Sequence, residues 1–156
     1  MSTRSRIGMV QDDGKVISIY CHWDGYPSNN GVILLKHYTD KEKVARLISL
    51  GDISCLEAEV DPKPSAPQKY NNKKTVTKHT FDTPQADVVI AYGRDRGEDP
   101  ETIKPRIDES ADTFAYDSDI EEWGYLFKDG KWFVTRGWGE RNLVPLTMEY
   151  IAKSEG

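Results

Sequence analysis

Residues 20–31, YCHWDGYPSNNG, set a cysteine, a histidine, a tryptophan and an aspartate side by side, and residues 92–99, YGRDRGED, bring a tyrosine and two arginines before two acids. The first group has the types that ligate metals or move protons. The second has the types that grip anions. If a strand starting near Ala86 runs on through Asp95, Arg94 and Arg96 leave the same face, because strand side chains alternate. They could then fork around a phosphate or a carboxylate. Both stretches fall where strands are expected to end, so His22, Asp24, Tyr26, Tyr92, Arg94 and Arg96 form a candidate ligand-binding rim. The plainer expectation pairs Arg94 and Arg96 with Asp95, Glu98 or Asp99 at the surface.

The same residues limit the chemistry. Cys21 and His22 point to opposite faces of a regular strand and cannot grip one metal together, while Cys55, His37 and His79 are scattered singly, so no metal site is expected. His37-Tyr38-Thr39 supplies one H-x-T motif but no second one follows. No nucleophile elbow and no phosphate-binding loop is present, and GRDRG lacks dinucleotide spacing. No catalytic residue and no cofactor is assigned. An acid–base grouping of His22, Asp24, His79 and Arg94 stays open, so the enzyme question leans towards no.

The elements that would position these groups give an α+β fold, with a mostly antiparallel sheet of five or six strands and two or three helices packed mainly on one face. Asp13-Gly14 predicts a hairpin between strands at 3–10 and 15–22, and Asp129-Gly130 predicts another between 123–128 and 131–136. On the second strand Ile17, Ile19, Cys21 and Trp23 form the core face, leaving His22, Asp24 and Tyr26 near the surface. Helices are expected over 31–38 and from Thr39 or Asp40 to Gly51, with a short one near 110–116 and a last one carrying Pro145 near its first turn. The continuously apolar Val88–Ala91 suggests a central strand. Residues 57–74, with Pro62, Pro64 and Pro67, are an exposed proline-rich loop within a single domain spanning 1–156.

The chain of 156 residues carries 26 acids against 21 bases, a net charge of −5. That balance argues against direct duplex nucleic-acid binding. Ten of the acids lie in the acidic stretch 97–122, against Lys104 and Arg106 alone. A solvated face is the ordinary outcome of such a run. The sharper one is a surface presenting Asp117, Asp119, Glu121 and Glu122 to a basic protein partner. Two cysteines without an apolar leader predict a cytoplasmic protein, and no run is long enough to span a membrane.

The run STRS followed by Ile7, then YCHWDGYP, GVILLKHY, LGDIS, FDTPQ, AYGRDRGED and YLFKDGKWFV, resembles a family of small, mostly uncharacterised proteins carried by bacteriophages, prophages and their bacterial hosts. The resemblance implies a setting, a phage-type accessory protein in the host cytoplasm that acts on host machinery, and no mechanism; with the acidic stretch and the aromatic surface beside it, the expected function is to bind and inhibit a host factor, such as a defence component, by protein–protein contact. The resemblance implies no catalytic residue. The alternative is a protein that binds, or hydrolyses, a nucleotide or other phosphate-bearing small molecule at the His/Arg rim. A closed pocket with paired arginines would favour the latter, and a convex acidic surface the former.

Overall fold

The computed structural model describes residues 2–139 and 141–154. Both Asp-Gly hairpins form. Strand β1 (Ser5–Val10) pairs antiparallel with β2 (Val16–Cys21) in unbroken register from Ser5↔Cys21 to Val10↔Val16. Asp129 and Gly130 both take positive φ, 52° and 77°, which is the type I′ geometry that matches strand twist. That turn joins two later strands, Trp123–Lys128 and Lys131–Arg136, numbered β8 and β9 in chain order.

Between the hairpins the chain makes a π-helical turn (Pro27–Gly31) and then α1 (Val32–His37) and α2 (Lys41–Ser49). Asp40 caps α2 by accepting the Glu42 N–H at 3.1 Å, and Gly51 ends it at φ 77°. There follow β3 (Ile53–Cys55), β4 (Ala66–Gln68), β5 (Asn71–Val76) and β6 (Ile90–Ala91), then α3 (Tyr92–Arg96), α4 (Pro100–Ile103) and β7 (Arg106–Asp108). The π-helical turn Thr113–Asp117, β8 and β9, β10 (Val144–Pro145) and α5 (Met148–Ser154) complete the order.

The class is α+β, with more strands than the five or six expected. Eight form one mixed sheet in the order β10-β9-β8-β1-β2-β3-β6, with β7 also pairing β2, and β4 with β5 form a separate ribbon. Residues 57–74 are therefore not all loop, since the ribbon begins inside them. The strands missed in the main sheet are two or three residues long, too short to show a period, and β7 also depends on a distant partner, Val16↔Asp108; the six-residue β5 was missed because nearly all of it is exposed.

One face of the sheet, with Ile7, Ile19, Cys21, Tyr125, Phe127, Trp132 and Val134, packs against Leu34, Val44, Leu47, Ile48 and Ile151 of α1, α2 and α5. The opposite face carries a smaller cluster of Val16, Phe114, Ile120 and Leu126, which the segment after β7 covers. Trp123, Tyr125, Phe127 and Trp132 of the second hairpin thus lie in the core, while Phe133 is half-buried. Pro145 sits in β10 opposite Phe133 rather than in the last helix.

Two further expectations fail for physical reasons. Trp23 is 42% exposed, because strand alternation ends at Cys21. The chain turns there through Asp24 at φ 54° and Gly25, where a Cβ would lie 2.7 Å from Ser5 Cβ. The strand from Ala86 does not run through Asp95. Only Ile90 and Ala91 form a strand, at the sheet edge beside β3, with Val88 adding a single bridge to Glu59, and the chain then coils into α3 until Gly97 at φ 77° stops it. Val88–Ala91 is buried by covering loops rather than by neighbouring strands on both sides.

Candidate functional site

Because Tyr92–Arg96 is helical, residues two apart point away from each other, and the two arginines part company. Arg94 turns inward. Its Nε and Nη2 donate to the two oxygens of Asp95 at 2.8 and 3.0 Å, its Nη1 to the Val60 carbonyl at 2.6 Å and its Nη2 to the Val89 carbonyl at 2.6 Å. Asp95 also accepts the Ala91 N–H at 2.7 Å and faces His79 Nε2 at 3.2 Å. The His79 side chain is fully buried, and its Nδ1 accepts the Gln85 N–H at 2.9 Å, which leaves the proton on Nε2. Although burial opposes it, donation from His79, Arg94 and the Ala91 amide holds the Asp95 carboxyl below the usual carboxylate range. Arg94 is thus a structural clamp with its fork already filled.

Arg96 turns outward. Its guanidinium lies 4.4 Å from the Phe81 ring centre and 4.9 Å from that of Tyr92, and its Nη2 meets Glu98 at 2.5 Å. Phe81 and Tyr92 stack with centroids 5.6 Å apart. Tyr92 and Arg96 join Tyr20, Asp52, Glu98, Thr102 and Ile103 around a shallow depression of about 350 Å³. Pairing of β2 with β3 places Asp52 here, where its Oδ1 accepts the Tyr20 N–H at 2.9 Å. His22 reaches the depression through Tyr20, whose hydroxyl lies 2.7 Å from His22 Nδ1.

Of the six rim residues, Tyr92 and Arg96 therefore share one depression and His22 adjoins it. Asp24 and Tyr26 are exposed on the loop beyond β2 and line none of it, and Arg94 is half-buried and turned away from it towards Asp95, Val60 and Val89. Tyr20 and Asp52 are the members that sequence reasoning missed. Tyr20 has the same strand parity as His22, which was a usable signal, but Asp52 joins only through a parallel pairing across 32 residues.

The depression is a hydrogen-bonding surface rather than an anion fork. Burial pushes the Tyr20 phenol up to about 12, and burial likewise raises Tyr92, so both hydroxyls keep their protons at neutral pH and can donate. Burial raises the Asp52 carboxyl too, against the Tyr20 N–H and the charges of Arg6 and Arg106. The one guanidinium at the depression is engaged by Glu98. Among the described residues no group of three or more His, Cys, Asp or Glu side chains is placed to hold a metal ion. No described helix is long and apolar enough to cross a membrane.

The acidic stretch has a clear geometry. Phe114 and Ala115 are fully buried on the inner side of the π-helical turn, so Asp112, Tyr116 and Asp117 are carried into solvent, Tyr116 with 44% exposure. Glu109, Asp112 and Asp117 make no ion pair or side-chain hydrogen bond among the described residues. The other three expected contact residues have internal partners. Asp119 accepts the Glu121 N–H at 2.8 Å, Glu121 lies 3.9 Å from the Arg4 guanidinium, and Glu122 accepts the Arg4 N–H at 2.7 Å.

No protein family, curated protein or solved structure matches the chain.

Proposed function

We propose that the protein works by binding another protein of basic character, through the exposed side of the turn that presents Asp112, Tyr116 and Asp117, with Glu109 nearby in the chain. The observation that carries this reading is the pairing of an exposed aromatic ring with carboxylates that have no internal partner, on a turn whose inner side is locked into the core. Tyrosine is a preferred anchor at interfaces, and unpaired carboxylates around it speed and select encounter with a positive surface. The resemblance to phage-type accessory proteins supplies the setting: a host factor, inhibited by occupation of its basic surface. Asp117 stays at the centre of the contact, and Asp119, Glu121 and Glu122 shape its border.

The test compares the tagged protein with a Tyr116→Ser, Asp112→Asn, Asp117→Asn variant in capture from host lysate at low and high salt. Partners that are lost in the variant and weaken with salt support the reading. Partners recovered equally by both proteins at both salt concentrations would remove it.

The hydrogen bond between Tyr20 and His22 beside Tyr92 and Arg96 favours a second reading, a polar small-molecule site at the depression. Its donors are neutral hydroxyls and its guanidinium is already paired, so a phosphate-bearing ligand would first have to displace Glu98. Thermal shift with a nucleotide panel, repeated on Tyr92→Phe, checks this reading. Shifts identical in the two proteins would exclude the Tyr92 hydroxyl from binding.

A further inference from the structure

We propose that the β4–β5 ribbon is a binding arm for single-stranded nucleic acid, a role separate from the acidic turn. Residues 63–78 contain five lysines and no acid. Every residue from Asn71 to Thr75 is exposed. Lys69 pairs with Glu57 at 3.7 Å, whereas the ammonium groups of Lys63, Lys73, Lys74 and Lys78 make no ion pair or hydrogen bond among the described residues. At the turn Tyr70 is 66% exposed, with Lys69 Nζ 5.5 Å from its ring centre.

These features select the occupant. A protein interface is built on a desolvated apolar centre and is depleted in lysine, and Tyr70 is the one large apolar side chain that this ribbon exposes. A phosphate backbone asks for the opposite: separated, solvated ammonium groups whose binding is driven by release of counterions. An exposed aromatic ring among them is the stacking platform that an unpaired base uses and a duplex does not offer.

The arm is also held in place. Lys69 N–H donates to the Pro84 carbonyl and Ala86 N–H to the Pro67 carbonyl, both at 2.8 Å, and the buried Gln85 side chain bonds both Lys63 backbone groups and the Val76 carbonyl. A ribbon fixed at its base has less entropy to lose on binding. The overall charge of −5 repels nucleic acid elsewhere on the surface, which confines contact to this arm and makes it salt-sensitive.

The experiment is fluorescence anisotropy of a labelled oligothymidine of about 20 nucleotides with the full chain, titrated from about 25 to 200 mM salt. Four phosphate contacts give a slope of log K against log salt of about −3. Lys73→Gln with Lys74→Gln should halve that slope, and Tyr70→Ala should weaken binding by about tenfold or more. All three positions are exposed, so unchanged melting temperatures confirm that the variants fold. No binding at the lowest salt, a duplex bound as tightly as the single strand, or affinity indifferent to these substitutions overturns the proposal. So does a salt-sensitive dimer abolished by the lysine changes, which would make a second copy of the chain the occupant.

Discussion

Arg94 and Asp95 show how a residue type suggestive of ligand binding can be consumed by the fold. Four of the Arg94 hydrogen bonds reach Asp95 and two carbonyls, so a lysine in its place leaves acceptors unmatched and Asp95 without its fork. Breaking a buried pair by removing one partner costs about 3 kcal/mol or more. Arg94→Lys and Asp95→Asn should therefore each lower the urea midpoint clearly, and equal midpoints would refute the clamp. Asp95 also predicts a pH effect. Its folded carboxyl titrates below the unfolded one, so its contribution is fully present above the ordinary carboxylate range and is lost as pH falls through the depressed folded value. Asp95→Asn should flatten the acid side of the stability profile. The cysteines give a second check at this scale. Burial pushes the Cys21 thiol up to about 12 and raises Cys55 less, with Cys55 only partly covered. A disulfide reagent should then modify Cys55 slowly in the native protein and Cys21 only on unfolding. Prompt reaction of both thiols would contradict the burial of β2.

Among the elements, the acidic segment separates two kinds of carboxylate that look alike as sequence. Asp119 accepts the Glu121 N–H, and Glu121 and Glu122 hold Arg4 through an ion pair and a hydrogen bond, while Asp112 and Asp117 make no ion pair or side-chain hydrogen bond among the described residues. Neutralising the first three as Asn or Gln should lower the melting temperature, whereas neutralising Asp112 and Asp117 should leave it unchanged or raise it slightly by relieving repulsion. Equal effects from the two sets would mean that the turn is not seated as described. The seating itself depends on Phe114, fully buried against Val16, Ile120 and Leu126. Phe114→Ala should cost about 3 to 5 kcal/mol. Local chemistry made some elements readable in advance: Asp-Gly pairs set both hairpin turns, and Asp40 with Gly51 bounds α2. The β6–α3 junction was not readable, because an apolar run buried by loops has the same pattern as one buried by strands. β7 was hidden because pairing across the fold, not propensity, makes it a strand, and β10 because two residues are too few to show a period.

For the whole molecule, the α+β class followed from strand and helix periods, but the candidate depression did not, since Tyr20, Asp52 and Tyr92 meet only through the order β2-β3-β6. The lysine arm was not anticipated, since residues 57–74 read as a proline-rich loop, and β5 lacks the alternation that marks a half-buried strand because almost all of it is solvated. That asymmetry between a thick core and a solvated arm bears on dynamics. The main sheet is packed on both faces, whereas the arm is fastened to it by Gln85, His79 and a few backbone bonds. Gln85→Ala leaves the Lys63 amide and two carbonyls without partners, at about 1 to 3 kcal/mol for each group that water cannot reach. Few apolar contacts tie the arm down, so the strain should be relieved by local opening rather than by unfolding of the sheet. Trypsin should then cleave among Lys69, Lys73, Lys74 and Lys78 about ten times faster or more in the variant. The urea midpoint reported by the core tryptophans should move much less. If cleavage and midpoint shift together, by amounts that match in free energy, the arm and the sheet unfold as one cooperative unit and Gln85 does not fasten the arm separately.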